Sequence, residues 1–563
     1  MIQEKKRLPV GVENFEQLIN DNYYYVDKTE MISELLRNGG MVNLFTRPRR
    51  FGKTLNMSML EHFFSIEGDK SIFEGLKISK DTELSEEYMG RYPVIFVSLK
   101  GINAGSYDTA FRLMVETIKS AAKKAKILKI SDKLDDDEKE DYRALLDKDM
   151  DEATLFLSLK TLSELLEKHY ASKVILLIDE YDVPLAKAFE NGYYDQMVFL
   201  IRNLLEQVLK TNNSLKFAVM TGCMRISKES IFAGLNNLKV LSITDERYDE
   251  YFGFTDTEVK EMLKYYEIED YYEDIKSWYD GYRFGSTEVY CPWDVLNYCD
   301  KVKDHTDSFP ENYWINTSSN DSVRKFIQMS DNFKTKREIE KLLAGGEITK
   351  EIHQELTYPE MYQSLENVWS LLFMTGYLTQ RGRIDAKYYK LAIPNLEIRD
   401  IFQTQIMEYF KERVKKDGDT LSRFCDALKS GEETKVEEIF ESYLKKTISI
   451  RDTFVRKASK ENFYHGILLG ILGVKEEWYV SSNQESGEGY SDILVETENS
   501  ETVILIEVKY ANDGNLDQAC ERALQQIEEK KYDEELRENG VDKILKYGIA
   551  CYMKRCKVKL ADS

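Results

Sequence analysis

Five short runs of apolar, β-favouring residues set the frame of the first half of the chain: 41–46 (MVNLFT), 94–99 (VIFVSL), 174–179 (VILLID), 217–221 (FAVMT) and 240–244 (VLSIT). Longer stretches of helical period separate them, at 54–64, 106–126, 154–170 and 195–210. A strand that is apolar along its whole length has both faces buried. Such strands alternating with helices predict an α/β unit with a parallel sheet covered on both sides.

At 563 residues the chain is long enough for about three or four domains. Its 78 Lys+Arg against 100 Asp+Glu leave a net charge of −22, which argues against coating nucleic acid nonspecifically but leaves room for a local basic cleft. No apolar run approaches the ~20 residues that cross a bilayer, and the basic start MIQEKKRLPVG has no apolar stretch behind it. A cytoplasmic protein that does not engage membranes is expected. Seven scattered cysteines without a CxxC pair, and five histidines without ligand spacing, point away from a disulfide framework or a Cys/His zinc site. A metal here would be held by carboxylates. The acidic run 132–141 (DKLDDDEKED) reads as solvated surface.

Directly after the first run comes Arg47-Pro48-Arg49-Arg50-Phe51-Gly52-Lys53-Thr54, opening a helix. It follows the phosphate-cradling pattern GxxxxGK[ST] with Arg47 in place of the first glycine, so this loop must take a different turn there. Backbone N–H groups of the loop, from Arg47 through Arg49, Arg50, Phe51 and Gly52, would cradle phosphates. Lys53 would reach the β and γ phosphates, and Thr54 would ligate Mg²⁺. The third run ends in Asp179-Glu180, the first carboxylate suited to holding Mg²⁺ and the second to activating water. Thr221, ending the fourth run, could sense the γ phosphate. Arg50 and Arg225 are candidates for contacting developing phosphate charge, Arg225 equally being an ordinary salt-bridged arginine.

These residues resemble the AAA-ATPase-like family of bacterial and archaeal proteins, whose variant P-loop reads RPRRFGKT. The resemblance includes YYVDKT at 24–29, LIDEYD at 177–182 and FGFT at 252–255, and runs from about Leu8 to about Gly285. It implies an additional-strand P-loop NTPase core and ATP as the nucleotide, with Tyr25 and Asp27 near it.

Near the C-terminus, Glu461 sits on a predicted helix, Asp492 opens one strand-like run (SDILV), and Glu507-Val508-Lys509 ends the next. Residues i and i+2 of a strand share a face, so Glu507 and Lys509 point the same way. Two carboxylates and an ammonium on adjacent strands suit metal-assisted phosphodiester hydrolysis. Asp492, Glu507 and the Val508 carbonyl offer hard oxygens for Mg²⁺, and Lys509 orients water or stabilises the transition state. An ExK alone is frequent, but the ordered set resembles the PD-(D/E)xK nuclease superfamily. That resemblance implies a restriction-endonuclease-like α/β domain, with Glu461 as its helical acidic residue and Gln526 as the polar member of the following helix. Ser rather than Pro precedes Asp492.

The expected division is an ATPase domain over 1–250, a helical lid-like region over 251–360, a winged-helix-like and helical connector over 361–450, and a nuclease-like domain over 451–563. The expected function is an ATPase coupled to a Mg²⁺-dependent nuclease acting on nucleic acid, DNA in particular, in defence against foreign DNA. The alternative is an ATP-switched module that binds nucleic acid or protein without cutting. Self-assembly into a homo-oligomer stays open.

Overall fold

The computed structural model of the protein describes residues 5–210, 212–226, 231–232, 235–304, 308–314, 321–330, 333–416, 418–447, 457–473, 475, 477–486, 489–498, 502–529, 536–537, 541 and 543–561. The chain forms two compact units, one of residues 1–318 with 349–398 and one of 319–348 with 399–563.

The first unit is built on a five-stranded parallel sheet of β1 (Val42–Thr46), β2 (Val94–Ser98), β3 (Val174–Asp179), β4 (Leu215–Gly222) and β5 (Leu238–Leu241). The order across the sheet is β2-β3-β4-β1-β5, so β4 stands between the strand before the P-loop and the strand ending in Asp179. This is the additional-strand arrangement. Every residue of β1 and β3 is buried, as continuous apolar strands covered on both faces require. The expected fifth run reached Thr244, but β5 stops at Leu241, because the Ser242 amide and hydroxyl turn to Asp245 Oδ2 at 2.7 and 2.8 Å. The acidic run begins helix Asp136–Ala144, capped by Asp135 and Glu138, with its carboxylates facing solvent.

Beyond the sheet come helices Asp256–Tyr266, Tyr272–Tyr279 and Pro292–Asp304. Helix Leu365–Met374 is followed by the antiparallel pair Thr379–Arg383 and Tyr388–Ala392, within the stretch expected to be winged-helix-like. Tyr279 and Tyr282, from the aromatic segment 278–285, are fully buried and act as core.

The second unit carries a five-stranded mixed sheet in the order Tyr479–Ser486, Gly489–Glu496, Thr502–Tyr510, Lys543–Tyr552, Arg555–Leu560. Only the central pair, Thr502–Tyr510 with Lys543–Tyr552, is parallel, and helix Leu516–Glu529 makes the crossover between them. Side chains of Thr502–Tyr510 alternate between faces. Ile504, Ile506 and Val508 join Phe424, Phe440 and Leu468 from helices Gly418–Ser430, Glu433–Thr447 and Lys457–Leu472, while Val503 and Leu505 meet Ile527 of the crossover helix. Two helices expected as a connector, Gly418–Ser430 and Glu433–Thr447, thus supply part of this core. Among the described residues no helix is long and apolar enough to cross a membrane.

Candidate active sites

The P-loop is shaped by two left-handed residues, Arg50 (φ +73°) and Gly52 (φ +74°), rather than by its first position. Arg47 keeps a negative φ and sends its side chain inward. The guanidinium is fully buried, donates to the carbonyls of Thr46 (2.9 Å), Leu241 (2.8 Å) and Tyr248 (3.2 Å), and lies over the rings of Phe252 and Phe284. Burial pushes its pKa down to about 10. The expected different turn is therefore made by a strut: Arg47 ties the loop to the segment after β5 and does not present its side chain to the nucleotide cleft. Phe51 likewise packs its ring on Tyr282 and Phe284.

Helix Lys53–Phe64 starts at Gly52 and presents Lys53 and Thr54 to a cleft of about 520 Å³. Arg49, Arg50, Phe51, Gly52 and Glu180 line the same cleft, as does Tyr25. Lys53 Nζ is buried, donates to the carbonyls of Arg47 (3.2 Å) and Pro48 (3.0 Å), and pairs with Glu180 Oε1 at 3.2 Å. Burial alone would lower its pKa. Nearby Cys223, Glu180 and Asp182 outweigh it and hold the ammonium above its ordinary value. The Cys223 thiol is itself pushed up to about 12 by burial and is protonated at neutral pH, so the carboxylates carry that effect.

Asp179 sits behind Thr54. Its Oδ2 accepts from the Thr54 hydroxyl at 3.0 Å and its Oδ1 from the Thr221 hydroxyl at 2.6 Å, although burial raises its pKa. A carboxylate beside a hydroxyl is an oxygen donor set that suits Mg²⁺. Glu180 holds a left-handed backbone (φ +53°), a strained conformation for a side chain that costs about 1–2 kcal/mol and is typical of functional positions. Of the two arginines expected at developing phosphate charge, Arg50 lines the cleft with its guanidinium donating to the Tyr313 carbonyl (2.9 Å) and lying over Trp293, whereas Arg225 does not line it and is ion-paired to Glu355 at 2.5 Å. Asp27 accepts the Thr29 amide at 2.9 Å and, from 50 positions away, the Lys77 amide at 2.7 Å. Sequence reasoning missed Asp182 and Cys223. Asp182 stood in the quoted LIDEYD, whereas nothing local marks Cys223 as a neighbour of Lys53.

In the second unit, Glu507 is buried on the central strand. Its Oε1 accepts from Lys509 Nζ at 3.0 Å and from Gln526 Nε2 of the crossover helix. Glu461, from helix Lys457–Leu472, accepts the Tyr510 amide at 3.3 Å. Asp492 lies on strand Gly489–Glu496, whose register sets Ile493 opposite Ile506, so one further step brings Asp492 across from Glu507. Its side chain lies outside the described residues. Among the described residues no three His, Cys, Asp or Glu side chains stand together as metal ligands. His465 hydrogen-bonds Ser482 at 3.1 Å.

Comparison with known proteins gives two matches. Residues 9–232 match the family described as Predicted AAA-ATPase, and residues 459–560 match the PD-(D/E)XK nuclease superfamily. A protein of Azotobacter chroococcum mcd 1, described as an uncharacterized protein in the vnfD 5′ region, is 27% identical over 429 residues, spanning 72% of this chain and 71% of that protein.

Proposed function

We propose, for an enzyme that joins an AAA-ATPase-like domain to a PD-(D/E)XK nuclease domain, that ATP binding and hydrolysis at the first site drive or gate Mg²⁺-dependent cleavage of DNA at the second. The observation that carries the nuclease half is the convergence of Lys509 and Gln526 on one buried oxygen of Glu507. The carboxylate is held in one orientation, and the ammonium is kept beside the place where a water or a scissile phosphate would lie. Asp492, Glu507 and the Val508 carbonyl would hold Mg²⁺, which supplies Lewis-acid stabilisation of the phosphodiester.

In the first site, Lys53 and the loop amides would bind the β and γ phosphates and Thr54 with Asp179 would hold Mg²⁺. Glu180, released from Lys53 as phosphate oxygens take its place, would orient and deprotonate the attacking water. Arg49 faces the same cleft and would neutralise phosphate charge. We place the enzyme in the prokaryotic cytoplasm, acting against foreign DNA, on the combination of domains and a bacterial relative. The rival reading, an ATP-switched binding module, draws on the net charge of −22.

The test is cleavage of labelled double-stranded DNA, single-stranded DNA and RNA by wild type, Glu507→Gln and Lys53→Ala, with Mg²⁺ and with or without ATP. Glu507→Gln should lose at least about 100-fold in cleavage rate, and Lys53→Ala should lose the response to ATP. No cleavage by wild type of any substrate would leave the switched binding module as the function.

A further inference from the structure

Tyr181 and Asp182 follow the catalytic Glu180 and have no part in the chemistry above, yet both are buried, at 0% and 2% exposure. Burying polar side chains costs stability unless they find partners. Both find them in one place, the turn that leaves β4. Asp182 Oδ2 accepts from the amides of Cys223 (2.9 Å) and Met224 (3.0 Å). The Tyr181 hydroxyl donates to the Met224 carbonyl (2.6 Å) and accepts from the Ile226 amide (3.0 Å), while the Tyr181 amide donates to the Thr221 carbonyl (2.9 Å). Gly222 lets the pair lie against the backbone: a Cβ there would meet the Tyr181 ring at 2.6 Å and Asp182 Oδ1 at 2.8 Å.

The turn so clamped is joined to the catalytic carboxylates. Thr221 Oγ1 donates to Asp179 Oδ1 (2.6 Å) and accepts from the Glu180 amide (3.2 Å), and Cys223 Sγ lies 3.8 Å from Lys53 Nζ. None of these bonds reaches the loop amides of Gly52–Thr54 that would cradle phosphates.

We infer that Tyr181 and Asp182 are positioning residues of the ATPase centre, holding the turn after β4 so that Thr221 fixes Asp179 and Glu180 for metal binding and water activation. The inference rests on the ATPase reading above. The clamped turn makes its direct bonds to the carboxylates and touches the phosphate cradle only through Cys223 Sγ beside Lys53 and the Gly222 carbonyl, which accepts the Arg47 amide at 3.0 Å, so its loss lowers kcat far more than it raises KM for ATP.

Steady-state hydrolysis of Mg-ATP tests this with the full-length wild type, Tyr181→Phe, Asp182→Ala, Asp182→Asn and Lys53→Ala, with thermal unfolding of each as a check on folding. Tyr181→Phe keeps the ring and loses the hydroxyl, and Asp182→Asn keeps an acceptor for both amides. The expected result is a kcat about tenfold or more lower in Tyr181→Phe and Asp182→Ala, with KM within about threefold and most of the loss restored in Asp182→Asn. Folded Tyr181→Phe and Asp182→Ala with kcat within about twofold of wild type, or with a raised KM alone, would overturn the assignment. Should Asp182→Ala fail to fold, a wild-type kcat in Tyr181→Phe overturns it just as well. A wild type no faster than Lys53→Ala would instead sink the ATPase reading itself.

Discussion

At the scale of single residues, buried charge marks where this chain is most committed. Arg47 meets the cost of desolvation with three carbonyls and two aromatic faces, which a lysine could not match because it lacks the planar fork. Asp294 and Glu397, both fully buried, meet the same cost in another way: burial favours the neutral, protonated carboxyl. Glu397 Oε1 takes the Trp314 amide at 2.8 Å, and the Asp294 charge bears on the Glu397 carboxyl. Burial, joined by the Asp294 charge, pushes the Glu397 carboxyl up to about 10, and burial pushes Asp294 up to about 6. The folded state therefore holds a proton that the unfolded chain releases above the ordinary carboxyl pKa of 4.5. The pair's contribution to stability is complete below that value and is lost as pH rises toward 10. Glu397→Gln removes the carboxyl with the most raised pKa, so its Tm should fall less than that of wild type between about pH 6 and pH 10. Thermal melts across that range check it, and parallel curves would refute it.

At the scale of elements, the second unit shows how a sheet edge is closed. Strand Arg555–Leu560 ends the sheet, and its outward amides would be free to template another strand. Helix Glu433–Thr447 covers them: Glu437 Oε2 accepts the Val558 amide at 3.0 Å and Glu433 Oε2 the Leu560 amide at 2.8 Å. Glu437 also pairs with Lys557 at 3.1 Å, a partly exposed contact that adds little. Glu437→Ala should destabilise this unit by about 1–2 kcal/mol, since it strips one amide of its acceptor. Urea unfolding measures the loss, and sedimentation would show increased self-association once the edge is open.

At the scale of the whole molecule, the chain joins two units that each have their own core and candidate site. Nucleotide should stabilise through the first alone: at about 100 times its Kd, Mg-ATP adds about 2.7 kcal/mol to whatever binds it. Differential scanning calorimetry should show that shift in wild type and its loss in Lys53→Ala, whereas an equal shift in both would place the nucleotide elsewhere. The sequence alone determined the runs that become strands, the helices between them, and the shared face of Glu507 and Lys509, because periods of 2 and 3.6 are local properties of a chain. It also marked Lys53, Thr54, Asp179 and Glu180 by motif. Only the tertiary structure decided that β4 enters between β1 and β3, that Arg47 turns inward, that Arg225 pairs with Glu355, and that Gln526 reaches Glu507. Thr54 meets Asp179 across 125 positions, and such partners follow from which apolar surfaces pack together, a choice made by the whole fold and written in no local stretch of the chain.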